Sequence, residues 1–457
     1  MRRFLPLLLL SLSTASCVNT VTPEQKTPPK NIIMVIGDGM GSAYTSAYRY
    51  FSDNPKTELV EKTVFDRHLT GLSSTYPAAV SGVVTDSAAS ATALASGIKS
   101  YNGAIGVDVN KNSVQSVLEW AKLQGKAIGV VVTSQINHAT PASYLTHNEH
   151  RKNYNAIADN YIDDGIKADL LFGGGRQYFI REDRNIVNEF KQAGFHYLDN
   201  YQGLTNLPNN KPVLGLFADV SLPWALDDTN KHRLSAMTKS AIHHLVDYKK
   251  SPSEKNKGFF MLIEASQIDW AGHMNDVSSA MAEMDDLAKT LEYLEHFVEH
   301  HPDTLVIVTA DHSTGGLTIG AKGKYEWQPE KLRSMKHSPR YITKELIKNE
   351  INQVMAAKLF NFELSNDDIS LLIYSKKTAT INNETKIYKL KKTPTVEFSL
   401  LLTVKRIIDT YTNTGWTSGG HTAIDVPVFA FGKQSELFNG HQDNTDIANK
   451  IFLLLGK

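Results

Sequence analysis

The chain has 457 residues, with 48 Lys+Arg against 48 Asp+Glu and a formal net charge of zero. Hydrophobic residues make up 41% and charged residues 21%, a globular balance that excludes a disordered, collagen-like or polytopic membrane chain. Neutrality leaves no electrostatic footprint for nucleic acid, and the length fits either several domains or one large α/β domain with insertions.

Arg2 and Arg3, the apolar run Phe4 to Leu10 and the small residues up to Ser16 read as a secretory signal over residues 1–16. The run is shorter than the roughly 20 apolar residues of a membrane span. A single cysteine, Cys17, excludes an intrachain disulfide and a cysteine-based zinc or iron–sulfur site. Ala15-Ser16-Cys17 resembles a bacterial lipobox, with Thr14 where Leu is usual. That makes Cys17 an acylated N-terminus and the chain a periplasmic or outer-membrane-anchored lipoprotein. Ordinary cleavage near Ala15, leaving a free thiol, is the alternative. Residues 17–30, rich in Pro and Thr, read as a tether to a domain over 31–457.

Along that domain, Asn31–Ile36, Ala127–Val132, Asp169–Phe172, Val213–Phe217, Gly258–Ile263, Thr304–Thr309 and Val428–Phe431 are short apolar runs, each predicted as a buried strand. Helical periodicity marks Ser113–Leu123, Tyr154–Ile162, Ser235–Tyr248, Val277–Glu299 and Thr445–Leu454. The alternation predicts an α/β fold, a three-layer αβα sandwich around a large, mostly parallel sheet. Residues 321–410 break the rhythm. They are rich in Lys and Asn, include the helix-like stretch Pro339–Leu359, and read as a surface insertion: a decorated loop, a lid or an oligomer contact.

Polar clusters follow the predicted strands, where open α/β sheets bind ligands. Gly37-Asp38-Gly39-Met40-Gly41 departs from the dinucleotide G-x-G-x-x-G pattern. Its carboxylate would repel a pyrophosphate, so Asp38 suits a metal ligand. Asp86-Ser87 opens an Ala-rich helix. Asp86 fits an N-cap, and Ser87 falls in the first turn, where the dipole favours an anion. No G-x-S-x-G elbow surrounds it, so a nucleophilic Ser87 needs an activator other than a triad. His138-Ala139-Thr140 is followed by Arg151, whose guanidinium can fork onto two phosphate oxygens. Glu264 ends an apolar strand, where a bare carboxylate is costly. Asp269 and His273, four apart, share a helix face. Asp311-His312 ends another strand, and His421 follows two glycines. Carboxylates and imidazoles in these numbers suit two or three divalent ions.

Asn31–Gly41, Thr85–Gly97, Tyr101-Asn102-Gly103, Ala139-Thr140-Pro141, Glu264 through His273, Thr309–His312 and Gly420-His421-Thr422 together resemble the alkaline phosphatase family, in the family's order. The Cys/Ser-x-Pro-x-Arg signature of the related sulfatases is absent. The resemblance implies a metal-dependent hydrolysis of phosphate monoesters through a phosphoserine at Ser87. It implies one Zn2+ on Asp269, His273 and His421, a second on Asp38, Asp311 and His312, and Mg2+ on Asp38, Thr140 and Glu264. Arg151 is implied as the phosphate clamp, with small phosphate monoesters and inorganic phosphate as partners and a homodimer possible. A phosphodiesterase on the same site and a non-catalytic phosphate-binding lipoprotein are the rival readings. Two positions depart from the enterobacterial pattern: His138 stands where that pattern has Asp, and Trp270 where it has Lys. His138 is expected outside the ligand shell, near magnesium. The 321–410 insertion resembles the crown-like insertions of other members.

Overall fold

A computed structural model describes residues 27–248, 257–384 and 395–457. The expected signal, Cys17 and most of the tether lie outside the described residues. A ten-stranded sheet organises the molecule: β1 (Asn31–Gly37), β2 (Leu69–Ser74), β3 (Ala127–Gln135), β4 (Leu170–Gly174), β5 (His196–Leu198), β6 (Val213–Leu216), β7 (Phe259–Ala265), β8 (Thr304–Thr309), β9 (Val426–Gly432) and β10 (Gly440–Asp443). Their order is β10-β2-β9-β8-β1-β7-β3-β4-β6-β5. Only β9 runs against its neighbours; the other pairings are parallel. The predicted strands are all in this sheet.

Strand β1 shows why its sequence reads as an unbroken apolar run. Side chains alternate across a sheet. Ile33 and Val35 enter the hydrophobic layer formed with helices Ser42–Ser52, Arg233–Asp247 and Val277–His300. Ile32, Met34 and Ile36 enter the opposite layer, beneath helices Ser87–Ser96, Val117–Leu123, Ala139–Leu145 and Asn444–Leu454. Both faces are covered, so neither can be polar. The result is the expected αβα sandwich.

Among the described residues, 321–412 hold five helices: Pro329–Ser334, Pro339–Lys348, Gln353–Phe360, Asn366–Glu384 and Val396–Thr412. The stretch expected as one helix over Pro339–Leu359 is two. The second opens at Asn352, whose side chain accepts from Met355 N. Ile342, Leu346, Phe360, Leu400 and Val404 are buried in the same layer as Ile33, so the inner face of this segment is core.

One buried ionic group ties this layer to the strand ends. Arg233 is fully buried. Its Nη1 donates to Asp286 at 2.9 Å, and its Nη2 to Glu283 at 2.8 Å and to Gln267 Oε1 at 2.6 Å. Breaking such a group costs about 3–5 kcal/mol by stranding a buried charge. Gln267 begins the helix Gln267–His273, which follows β7 and carries two site residues.

Candidate metal and phosphoryl-transfer site

The site lies at the carboxyl ends of β1, β3, β7 and β8. Asp38 follows β1, Glu264 lies near the end of β7, Asp311 and His312 follow β8, and His138 and Thr140 follow β3. The turn after β1 requires Gly39, with φ +74°; a Cβ there would sit 2.7 Å from Asp269 Cα. Its N–H donates to Asp311 Oδ1 at 3.0 Å, as does the His312 N–H.

Three groups of ligand atoms form, each within 4.8 Å: Asp269, His273 and His421; Asp38, Asp311 and His312; Asp38, His138 and Glu264. The site residues gathered from six separate sequence segments therefore converge. Thr140 is fully buried beside them, one helix position beyond Ala139. His138, expected further out, contributes a ring nitrogen to the third group itself.

The first group is oriented by backbone carbonyls. His273 Nδ1 lies 2.8 Å from Gly419 O, and His421 Nδ1 lies 2.8 Å from Thr85 O. Each Nδ1 donates to its carbonyl. The two Nε2 atoms then face each other at 3.0 Å. Asp269 oxygens lie 3.4 and 3.5 Å from them. Two ring nitrogens and a carboxylate pointing at one place form a ready set of donors for a divalent cation.

The second group is fully buried. Thr314 Oγ1 donates to Asp269 Oδ1 at 2.5 Å, so it accepts from His312 Nδ1 at 3.2 Å. This turns the His312 Nε2 lone pair toward Asp311 Oδ2, at 3.2 Å, and Asp38 Oδ1, at 3.6 Å. Ser87 Oγ is 3.2 Å from the same Nε2. Ser87 is the first residue of its helix; Asp86 caps it, accepting from Ala89 N at 3.0 Å. Asp86 Oδ2 also receives Arg151 Nη1 at 3.1 Å, while Arg151 Nη2 approaches His138 Nε2 at 3.3 Å.

Among the described residues, both oxygens of Asp38, Asp311 Oδ2, Glu264 Oε1, Thr140 Oγ1 and His138 Nδ1 are buried without a hydrogen-bond partner. Carboxylates so placed cost several kcal/mol each unless paired with charge. Their proton affinities record the crowding. Burial, then the charges of Asp311, Asp269 and Glu264, holds the Asp38 carboxyl well above the usual carboxylate range. Burial chiefly pushes Glu264 up to about 7 and also raises Asp311. Burial, then Arg151, brings His138 down to about 3, and burial with the neighbouring His421 keeps His312 neutral. The donor set, carboxylate oxygen and neutral imidazole, fits divalent cations.

Residues 29–456 match the family model described as Alkaline phosphatase. The chain belongs to the alkaline phosphatase family. It is 42% identical to Alkaline phosphatase 3 of Bacillus subtilis (strain 168) over 469 residues, which cover 99% of this chain and 97% of that protein. Alkaline phosphatase 4 of the same organism is 43% identical, with 94% and 90% covered. The crystal structure of a cold-active alkaline phosphatase from the psychrophile Shewanella sp. matches at TM-score 0.85 and 46% identity, covering 93% of this chain and 100% of that one. The alkaline phosphatase of the Antarctic bacterium TAB5 has been solved as a histidine-to-aspartate mutant with Mg bound in a site termed M3. That structure matches at TM-score 0.67 and 29% identity, covering 94% and 99%. Like these family members, the chain is a phosphomonoester hydrolase.

Some functional groups were not read from the sequence. Thr314 lies two residues from His312 and sets its tautomer. The carbonyls of Thr85 and Gly419 orient His421 and His273. Only their closeness to the motifs could have signalled them.

Proposed function

We propose that the chain hydrolyses phosphate monoesters through a phosphoserine at Ser87, using two zinc ions and one magnesium. Zinc is assigned to Asp269, His273 and His421, and to Asp38, Asp311 and His312; magnesium to Asp38, Thr140 and Glu264, with His138 alongside. The observation that carries this is the convergence of His273 Nε2, His421 Nε2 and the Asp269 carboxylate on one point, the two nitrogens 3.0 Å apart. Bound divalent cations supply Lewis-acid stabilisation of the attacking and leaving oxygens. The chain supplies the rest. Asp86 holds Arg151 so that its guanidinium can pair with two phosphate oxygens. Helix Ser87–Ser96 fixes the Ser87 hydroxyl at its first turn, where dipole and free N–H groups favour an anion. Ser87 Oγ attacks phosphorus and gives its proton to solvent, the ester bond breaks, and the departing oxygen takes the bond pair and a proton from solvent to leave as the alcohol. Water then attacks phosphoserine and restores the hydroxyl.

Among the described residues no helix is long and apolar enough to cross a membrane. Export, with lipid at Cys17, rests on the sequence and belongs to this proposal.

Chelation followed by metal-free dialysis is expected to remove p-nitrophenyl phosphate turnover, and zinc with magnesium to restore it. A phosphate diester should turn over far more slowly. Full activity in the metal-free protein would refute the metal assignment; faster turnover of the diester would favour a phosphodiesterase.

His138 and Trp270 give a second expectation. Their rings meet edge to face at 5.7 Å between centroids, so a change at one alters the surroundings of the other. Trp270→Lys with His138→Asp adds an ammonium near phosphate and a counter-charge beside it. A unit attraction at about 4 Å is roughly 4 kcal/mol at dielectric ~20, most of it offset by lost hydration. A net of about 1 kcal/mol tightens inhibition by inorganic phosphate about fivefold and slows product release. Inhibition constants and turnover numbers for wild type, both single variants and the double check it. Unchanged or weaker phosphate inhibition in the double variant contradicts it.

A further inference from the structure

His273 and His421 are 148 residues apart in the chain, yet their Nε2 atoms lie 3.0 Å apart. Core packing does not hold both of them there. The His273 side chain is 40% exposed, and His273 is the last residue of the short helix Gln267–His273. His421 follows the two glycines Gly419 and Gly420.

The two segments are laced to each other. Asn275 Nδ2 donates to Ser418 O at 3.2 Å. Thr417 N and Ser418 N both donate to Gly315 O at 3.1 Å, and Gly315 N donates to Gly420 O at 2.9 Å. These bonds join loop to loop, and ligands carried on loops are held less exactly than ligands braced by a regular element.

The brace is helix Val396–Thr412 of the insertion. Its Leu400, Val404, Ile407 and Ile408 are buried in the same layer as Ile33. Lys405 Nζ donates to Met274 O, the carbonyl directly after His273, at a helix end whose last carbonyls have no partner within the helix. Asp409, one turn further along the same face, accepts from Trp416 Nε1 at 3.2 Å. Trp416 opens the run that ends at His421. Its ring packs on Gly315, which has φ +80° and where a Cβ would lie 2.7 Å from the ring. Burial disfavours the Lys405 ammonium, and the charges of Asp276 and Asp409 favour it. Asp276 is itself fixed, capping helix Val277–His300 by accepting from Ser279 N at 3.0 Å.

We infer that Lys405 and Asp409 are positioning residues for the cation site of Asp269, His273 and His421: one helix of the insertion holds the His273 segment through Lys405 and the His421 segment through Asp409, and so fixes the separation of the two imidazoles. This role rests on the metal assignment proposed above. The group of Asp38, Asp311 and His312 is fully buried at the strand ends, so its geometry is set by the sheet. Groups that orient a ligand tune its cation without touching it, and the 321–410 segment is in this way part of the frame of the site.

The test is zinc binding by the full chain stripped of metal, read by competition with a chromogenic chelator. K405M keeps the aliphatic stem and removes the donor, D409A removes the acceptor, and W416F removes the N–H that Asp409 receives. Each should weaken one of the two zinc ions about tenfold and leave the other within about twofold. K405R and D409N, which keep a donor and an acceptor, should return the affinity to within about threefold of wild type. In an H421A background, where that ion has already lost a ligand, K405M should cost less than about twofold more. A role confined to fastening the insertion would lower the urea midpoint in chelator and leave both zinc affinities at the wild-type value. That result overturns the positioning role, as does equal weakening of both ions or a full further loss in the H421A background. Should one variant fail to fold, the other two carry the same expectation. A wild-type protein that binds no zinc refutes the metal assignment instead.

Discussion

Ser87→Ala is expected to abolish the acid-trappable phosphoenzyme and to lower phosphomonoester turnover by roughly 10³-fold or more. The magnitude follows from what the hydroxyl does. It is held 3.2 Å from His312 Nε2 by a helix start that Asp86 caps, so the nucleophile is positioned before substrate arrives. Positioning and activation of a nucleophile account for several kcal/mol of barrier. The helix does not depend on the hydroxyl, because Ala89 N takes its cap from Asp86 and not from Ser87. Stability should therefore be unchanged, and the loss is chemical. Residual hydrolysis by direct attack of water is expected, without a burst. The measurement is pre-steady-state release of p-nitrophenol together with acid trapping of labelled phosphate. A wild-type burst in the variant would remove Ser87 from the nucleophile role.

The sheet was legible where both of its faces are buried. Strands β1, β3, β7 and β8 are continuous apolar runs because each side chain enters one hydrophobic layer or the other. Strands β2, β5 and β10 were not found. β2 is half exposed, β5 is three residues long with every one partly exposed, and β10 is Gly-His-Gln-Asp. Their strand conformation comes from pairing with neighbours, which local pattern does not encode. The site was legible for a related reason: an apolar strand that ends in Asp or Glu advertises a carboxylate at the ligand-binding edge. What could not be read was which partners would meet. Ser87 and His312 are 225 residues apart in the chain, and sequence spacing does not show that the imidazole beside the serine is the one aimed at Asp38 and Asp311. The Lys- and Asn-rich composition of residues 321–410 concealed an inner apolar face, because its polar outer face dominates the count.

Glu264→Gln is expected to change sign with metal content. In the metal-free protein the folded state holds Glu264 at about 7, against an ordinary 4.5, chiefly by burial. A carboxyl whose pKa is raised on folding contributes stability below its unfolded pKa and loses it as pH rises through the folded one. From pH 4.5 to 7 this side chain therefore costs the metal-free fold on the order of 3 kcal/mol. Glutamine keeps the shape and does not ionise, so the substitution removes that cost. The neutral histidines His138 and His312 have the opposite pH dependence, but they are common to both proteins and cancel in the difference. In chelator, then, Glu264→Gln should stabilise the fold, by under about 1 kcal/mol at pH 5 and by about 3 kcal/mol at pH 8. With divalent cation present the same change removes a ligand from the group that includes Asp38 and His138, and cation binding contributes directly to folding. There it should destabilise, most strongly at high pH, where protons compete least with the cation for the carboxylate. Urea unfolding of both proteins at pH 5 and pH 8, with chelator and with zinc and magnesium, gives the four differences. The same sign in chelator and in metal at pH 8 would mean that Glu264 is a structural carboxyl and not part of a cation site.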